Sequence, residues 1–169
     1  MYMQDEQNFR HPYSFFQIGT IHSPYTDVSG MPIQPNGARG IRGSVEISEE
    51  FRDGLNDIKG FSRIILIYAF HRCQSYKLTV TPFLDTTPRG VFATRAPCRP
   101  NPIGLSIVRL IEVKGTTLIV EDVDILDGTP LLDLKPYVPA LDSYPDASSG
   151  WLEHVVQGAE SVRSDSRFL

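Results

Sequence analysis

The sequence predicts a mainly β protein: a single-domain barrel of about seven strands with one or two short helices. Three observations lead there. Short runs rich in Ile, Val, Thr and aromatic residues recur along the chain, most of them bounded by turn residues. Helical spacing of apolar residues is confined to 48–60 and, more weakly, 150–162. A chain of 169 residues carrying that many strands protects its edges by closing the sheet, or nearly closing it, on itself.

The predicted strands fall, in order, at 15–22 (FFQIGTIH), 43–47 (GSVEI), 61–70 (FSRIILIYAF), 76–83 (YKLTVTPF), 90–94 (GVFAT), 103–113 (IGLSIVRLIEV) and 116–126 (TTLIVEDVDIL). In the fourth, Leu78, Val80 and Pro82 alternate with Lys77, Thr79 and Thr81, the period of a half-buried strand. Residues 113–117 read as a hairpin connection, with Gly115 free to adopt positive φ. For the first helix, Ser48 is placed to cap and Glu49 and Glu50 lie in the first turn, where the helix dipole favours acids. Phe51, Leu55 and Ile58 share one face, and Gly60 can end it. The second helix would turn Trp151, Val155 and Val156 towards the core or a partner, followed by a polar, mobile tail. The expected division is an extension at 1–14, the barrel at 15–146 and a helix and tail at 147–169.

Composition narrows the function classes. Hydrophobic residues make up 41% and charged residues 21%, ordinary for a globular chain. No apolar run reaches the roughly 20 residues of a membrane span. The first sixteen residues are polar and acidic where a secretion signal would be basic and then apolar, so a cytoplasmic protein is expected. Cys73 and Cys98 form no C-x-x-C pair and no disulfide framework, and free thiols are the default expectation. The net charge is −4, but residues 61–110 hold seven Lys/Arg against one acid, Asp85. That segment is +6, which leaves −10 for the rest. Such segregation suits an electropositive face for an anionic partner; arginines scattered and solvated around a barrel would give the same tally.

Common catalytic signatures are missing. The glycine-rich stretch GARGIRG (37–43) has neither the order nor the strand–helix frame of a dinucleotide fingerprint, and Walker, G-x-S-x-G and H-E-x-x-H motifs are absent. Three features stand out instead. His71 and Arg72 follow directly on an apolar strand, as a site at a strand end or as a satisfied core histidine. TRAPCRPNPIGL (94–105) places Arg95, Arg99 and three prolines in nine residues, a loop stiffened before any ligand arrives. DGTPLLDLKPYVP (127–139) is a turn shaped by Gly128 and Pro130 with Leu131 and Leu132 turning inward, or simply a turn and an edge strand.

Together with IGTIHSPY (18–25) and FHRC (70–73), the blocks GVFATRAPCRPNPIGLSIVRL and DGTPLLDLKPYVP resemble the TsaA-like family over about residues 16–146. Its best-known members are tRNA N6-adenosine methyltransferases that use S-adenosylmethionine (SAM). The resemblance implies a β-barrel methyltransferase working as a homodimer on tRNA. By position it would assign SAM contacts to Pro35, Asn36, Gly37, His71, Arg72, Arg95, Leu105, Leu131, Leu132, Asp133 and Leu134. Arg72 stands where bacterial relatives often have Gln, and Cys98 occupies a slot that relatives fill with other residues, which speaks against a catalytic thiol. At this length the chain would lack the C-terminal domain of longer bacterial members.

On this reading the stiff loop holds Arg95 for a carboxylate or phosphate with little entropy lost on binding, and Leu131, Leu132 and Leu134 wall the adenine. Asp133, with His71 second, is the candidate to take the proton from the N6 amine. Arg63, Arg89 and Arg99 are assigned to the nucleic-acid backbone, and no metal is required. Three functions follow: methylation of N6-threonylcarbamoyladenosine beside the tRNA anticodon, methylation of a small molecule, or SAM binding without turnover.

Overall fold

The computed structural model of the chain describes residues 12–155 and 159–168. Eight strands run in chain order: β1 (Gly19–His22), β2 (Arg42–Ile47), β3 (Arg63–Ala69), β4 (Thr79–Val80), β5 (Arg89–Gly90), β6 (Ile103–Lys114), β7 (Thr117–Glu121) and β8 (Thr129–Pro136). Six of them close a barrel in the order β1-β2-β7-β6-β3-β8, with β8 returning to β1, and β4 and β5 form a separate two-stranded ribbon. Neighbouring barrel strands are all antiparallel. Closure leaves no barrel strand with an unpaired edge.

Period-two alternation does the sorting. On β3, Ile64, Leu66 and Tyr68 are buried while Ile65 and Ile67 between them are not. Val45, Val108, Leu118, Val120 and Leu131 complete the interior from the other strands. Gly115, at φ 61°, turns the β6–β7 hairpin as its position predicts. Tyr68 lies opposite Gly104 in the β3–β6 register, and a Cβ at 104 would overlap the tyrosine ring. Glycine here makes room for an aromatic ring inside a small barrel.

Several elements differ from expectation. The segment 127–139 is no edge: β8 sits between β1 and β3. A bulge, where Ile67 pairs with Asp133 and Tyr68 with Leu131, leaves Leu132 as the extra residue. Leu131 is fully buried and Leu132 only partly. Regular pairing in 76–83 shrinks to two residues, and Leu78, expected inward, is 61% exposed. The segment 15–18 precedes β1 rather than joining it, leaving Phe16 84% exposed. Beyond β7, Asp122 at φ 69° turns the chain away before residue 126.

The helix at 48–60 is two 3₁₀ segments, Glu49–Leu55 and Ile58–Gly60, separated by Asp57 at φ 64°. Ser48 makes no side-chain cap. The one α-helical turn among the described residues is α1 (Pro139–Asp142). Residues 150–162 give short 3₁₀ turns, Gly150–His154 and Ala159–Ser161; Val156, assigned to that helix face, lies outside the described residues, as do residues 1–11 of the expected extension. The tail is anchored rather than free. Ser164 Oγ donates to Val28 O at 2.5 Å, and Arg167 Nη1 donates to Pro82 O at 3.0 Å. The rings of Phe168 and Phe83 meet edge to face at 5.1 Å. Among the described residues, no helix is long and apolar enough to cross a membrane.

Candidate active site

The barrel end at which β1, β3 and β7 finish and β2, β6 and β8 begin carries the long connections, and they wall a cleft of about 1220 Å³. That exceeds the roughly 300–1,000 Å³ of most small-molecule sites. There is room for a nucleoside-sized ligand and a second reactant beside it.

Three separated stretches of sequence meet in this cleft. Pro35 and Asn36 come from the 3₁₀ turn Pro35–Ala38, His71 and Arg72 from the end of β3, and Arg95, Arg99 and Asn101 from the proline loop. Ile103 and Leu105 extend the wall along the outside of β6, and Leu105 is 53% exposed. Arg95 Nη1 donates to Gln34 Oε1 at 3.1 Å, tying the proline loop to the 3₁₀ turn. Arg99 Nη1 donates to the carbonyls of Thr94 at 3.0 Å and Ala96 at 3.5 Å, so this side chain fastens its own loop. His71 is held below its ordinary basicity, chiefly by burial and then by the Arg72 charge.

The two loops are joined covalently. Cys73 and Cys98 form a disulfide, with Cα atoms 5.3 Å apart, where free thiols were expected. Their 25-residue separation conceals the pairing, because it is the antiparallel β3–β6 pairing, with Ala69 opposite Ile103, that brings the end of β3 beside the proline loop. Both sulfurs are thereby engaged, so neither cysteine is a nucleophile in this state.

Other predicted residues lie elsewhere. Gly37, Leu131, Leu132, Asp133 and Leu134 are not among the residues lining the cleft. Gly37 packs so that a Cβ would come within 2.9 Å of Glu160 O. The Asp133 carboxylate sits 2.7 Å from Lys135 Nζ and accepts the Leu134 amide at 2.9 Å. Arg63 lines the cleft but is paired with Asp122 at 3.2 Å. Arg89 is outside it, clamped by Asp85 at 2.7 Å and stacked over Trp151 at 5.2 Å. The +6 segment is therefore partly neutralised by acids from within and beyond it.

Sequence reasoning missed a polar line through the barrel wall. Tyr68 OH lies 3.1 Å from Ser106 Oγ, and Ser106 Oγ donates to Asp124 Oδ1 at 2.7 Å. Tyr68 and Asp124 both line the cleft. Burial pushes the Asp124 carboxyl up to about 6, against the opposing pull of the Ser106 hydrogen bond and the Arg95 charge. Burial likewise raises the Tyr68 hydroxyl. The available signal was polarity out of place: Ser106 on an apolar strand, and Asp124 between Val123 and Ile125.

Comparison with known proteins adds a lineage to this geometry. The family model of the tRNA-methyltransferase O N-terminal domain matches residues 20–143. The chain belongs to the tRNA-methyltransferase O family. It is 55% identical over 152 residues to a probable S-adenosyl-L-methionine-binding protein of Pyrococcus abyssi, covering 90% of this chain and 83% of that one. It is 35% identical over 151 residues to the tRNA (adenine(37)-N6)-methyltransferase of Escherichia coli, covering 83% of this chain and 64% of that enzyme. The crystal structure of TrmO from Pseudomonas aeruginosa matches with TM-score 0.70 at 36% identity, over 83% of this chain and 63% of that one. The present chain thus spans less than two thirds of the Escherichia and Pseudomonas family members. The matched region contains the barrel, apart from Gly19 at the start of β1, and every cleft wall except the segment beyond residue 143.

Proposed function

We propose that the cleft binds SAM and that the protein transfers its methyl group to the N6 nitrogen of an adenosine in tRNA, N6-threonylcarbamoyladenosine beside the anticodon. The observation that carries this reading is the convergence of Asn36, His71 and Arg95 from three distant stretches on one cleft. The name of the Escherichia relative supports the tRNA adenine, and that of the Pyrococcus relative supports SAM. The donor set suits the cosubstrate: Arg95 offers a planar fork for a carboxylate, while Ile103, Leu105, Ile125 and Leu126 offer an apolar bed for a base. SAM supplies a methyl group on a sulfonium centre, a leaving group that departs as a neutral thioether.

The chain's own part is positioning. A loop fixed by Pro97, Pro100 and Pro102, by the disulfide and by the Arg95–Gln34 contact holds the cleft in shape before binding. Little ordering entropy is left to lose, and alignment supplies much of the rate. An anticodon loop can present an unstacked base at low cost, unlike a duplex. In this reading the protein acts in the cytoplasm as a homodimer, with exposed Phe92, Ile103 and Leu105 available to a second copy. One observation favours a smaller substrate: Arg63 and Arg89 already have carboxylate partners, which reduces the charge left for phosphates.

Incubation with labelled SAM and unfractionated tRNA, followed by digestion to nucleosides and mass spectrometry, tests the proposal. The expected product is a methylated N6-threonylcarbamoyladenosine, with no label in duplex RNA. SAM binding without any labelled nucleoside would transfer the assignment to a small-molecule acceptor.

A further inference from the structure

We propose that Asp124 is the proton acceptor for the amine methylated in this cleft, held in place by Ser106 and, through it, by Tyr68. The inference rests on reading the cleft as a methyl-transfer site. A serine hydroxyl has one proton to give, and Ser106 gives it to Asp124 Oδ1 at 2.7 Å. The 3.1 Å contact between Tyr68 and Ser106 must then run from the tyrosine hydroxyl to Ser106 Oγ. The line is directional, Tyr68 to Ser106 to Asp124, and it ends on a carboxylate at the cleft wall.

Two strands, β3 and β6, serve this arrangement. Tyr68 is 5% and Ser106 2% exposed, so the anchor lies inside the barrel. Gly104 leaves the space that the Tyr68 ring fills. The charged and titratable groups facing Asp124 are Tyr68 from β3, Tyr25 from the segment after β1, and Arg95 from the proline loop. A carboxylate raised towards neutrality by burial is a better base than a solvated one and is still ionised at pH 7. The alternatives are weaker. Asp133 is engaged by Lys135 and by a backbone amide, away from the cleft lining. His71 lines the cleft but has been made less basic by burial and Arg72.

The proton balance is simple. As the nitrogen forms its N–C bond, the methyl–sulfur bond breaks and its electron pair stays on sulfur. The nitrogen's proton passes to the Asp124 carboxylate, which later releases it to water.

The test combines Asp124→Asn and Tyr68→Phe with three readouts: calorimetric SAM binding, single-turnover methylation of tRNA between pH 5 and 8, and carbon NMR titration of the Asp124 carboxyl in ligand-free protein. Asp124→Asn is expected to bind SAM within about threefold of wild type, and to methylate roughly 10²- to 10⁴-fold more slowly. The wild-type rate should rise with pH through about 6, and the variant should lose that limb. The carboxyl itself should titrate near 6 and shift in Tyr68→Phe. Titration at the ordinary 3.8 would overturn the proposal. So would wild-type turnover in Asp124→Asn, or lost SAM binding with an unchanged transfer rate. A wild-type protein that binds SAM but methylates no RNA would instead overturn the tRNA reading beneath it.

Discussion

Inside the barrel, Ile21, Val45, Ile64, Leu66, Val108, Leu118 and Val120 are completely buried in a ring of paired strands. Between residues 70 and 102, at the open end, only Thr79–Val80 and Arg89–Gly90 are strand. The first region is held by burial and by ladders of backbone hydrogen bonds. The second is held by individual devices: a disulfide, prolines, Arg99 fastening two carbonyls, and Asp85 accepting the amides of Thr86 and Thr87 and gripping Arg89. The difference teaches where specificity resides. A closed barrel supplies a rigid frame whose interior is already full, so the ligand-sized space has to be built outside it, from loops that cannot rely on a core.

If the two regions are independent, damage to one should spare the other. Leu66→Ala should produce the largest loss of stability, about 2 to 5 kcal/mol, read by chemical denaturation. SAM affinity per folded molecule should barely change. Breaking the disulfide with Cys73→Ser and Cys98→Ser should destabilise by about 3.5 kcal/mol on loop-entropy grounds. Unlike the core variant, it should also weaken SAM binding measurably by calorimetry, because it frees the His71 and Arg95 loops from each other.

Gly104→Ala probes the point at which frame and cleft touch. The new Cβ must push against Tyr68, a small-to-large change that costs about 1 to 3 kcal/mol. It should also disturb the Tyr68–Ser106–Asp124 line, seen as a shifted pH–rate profile. Asp85→Asn is the mildest change. Amides of Thr87 and Thr86 and the Arg89 guanidinium hold the Asp85 carboxyl down at about 2, against its ordinary 3.8. A lowered carboxyl contributes stability above its unfolded value and loses it as pH falls through its folded one. The variant should therefore flatten the loss of stability between about pH 4 and 2, followed by thermal melts, and leave the barrel otherwise unaffected.

Much of the frame was legible in the sequence because period-two alternation is local: residues 61–70 and 103–113 announce themselves through Ile, Leu and Val at fixed intervals. The rim was less so. The Cys73–Cys98 pairing depends on the alignment of β3 with β6, and the anchoring of Ser164 and Phe168 depends on contacts with residues more than 80 positions away. Residues 76–83 looked like a strand because Leu78, Val80 and Pro82 alternate with polar neighbours; Val80 and Pro82 are buried, but Leu78 is exposed. The proline loop and His71 could be singled out because unusual local chemistry marked them. Asp124 and Ser106 were marked only by polarity out of place, and their meaning lies in a contact between β6 and the segment after β7.

Titration of isotope-labelled protein with SAM, followed by backbone NMR, asks directly whether the ligand occupies the loop-walled cleft. Saturable shifts at Asn36, His71, Arg95 and Asp124 are expected, with the hairpin around Gly115 at the far end of the barrel unmoved. Shifts centred on that hairpin, or none at millimolar SAM, would contradict the placement of the site.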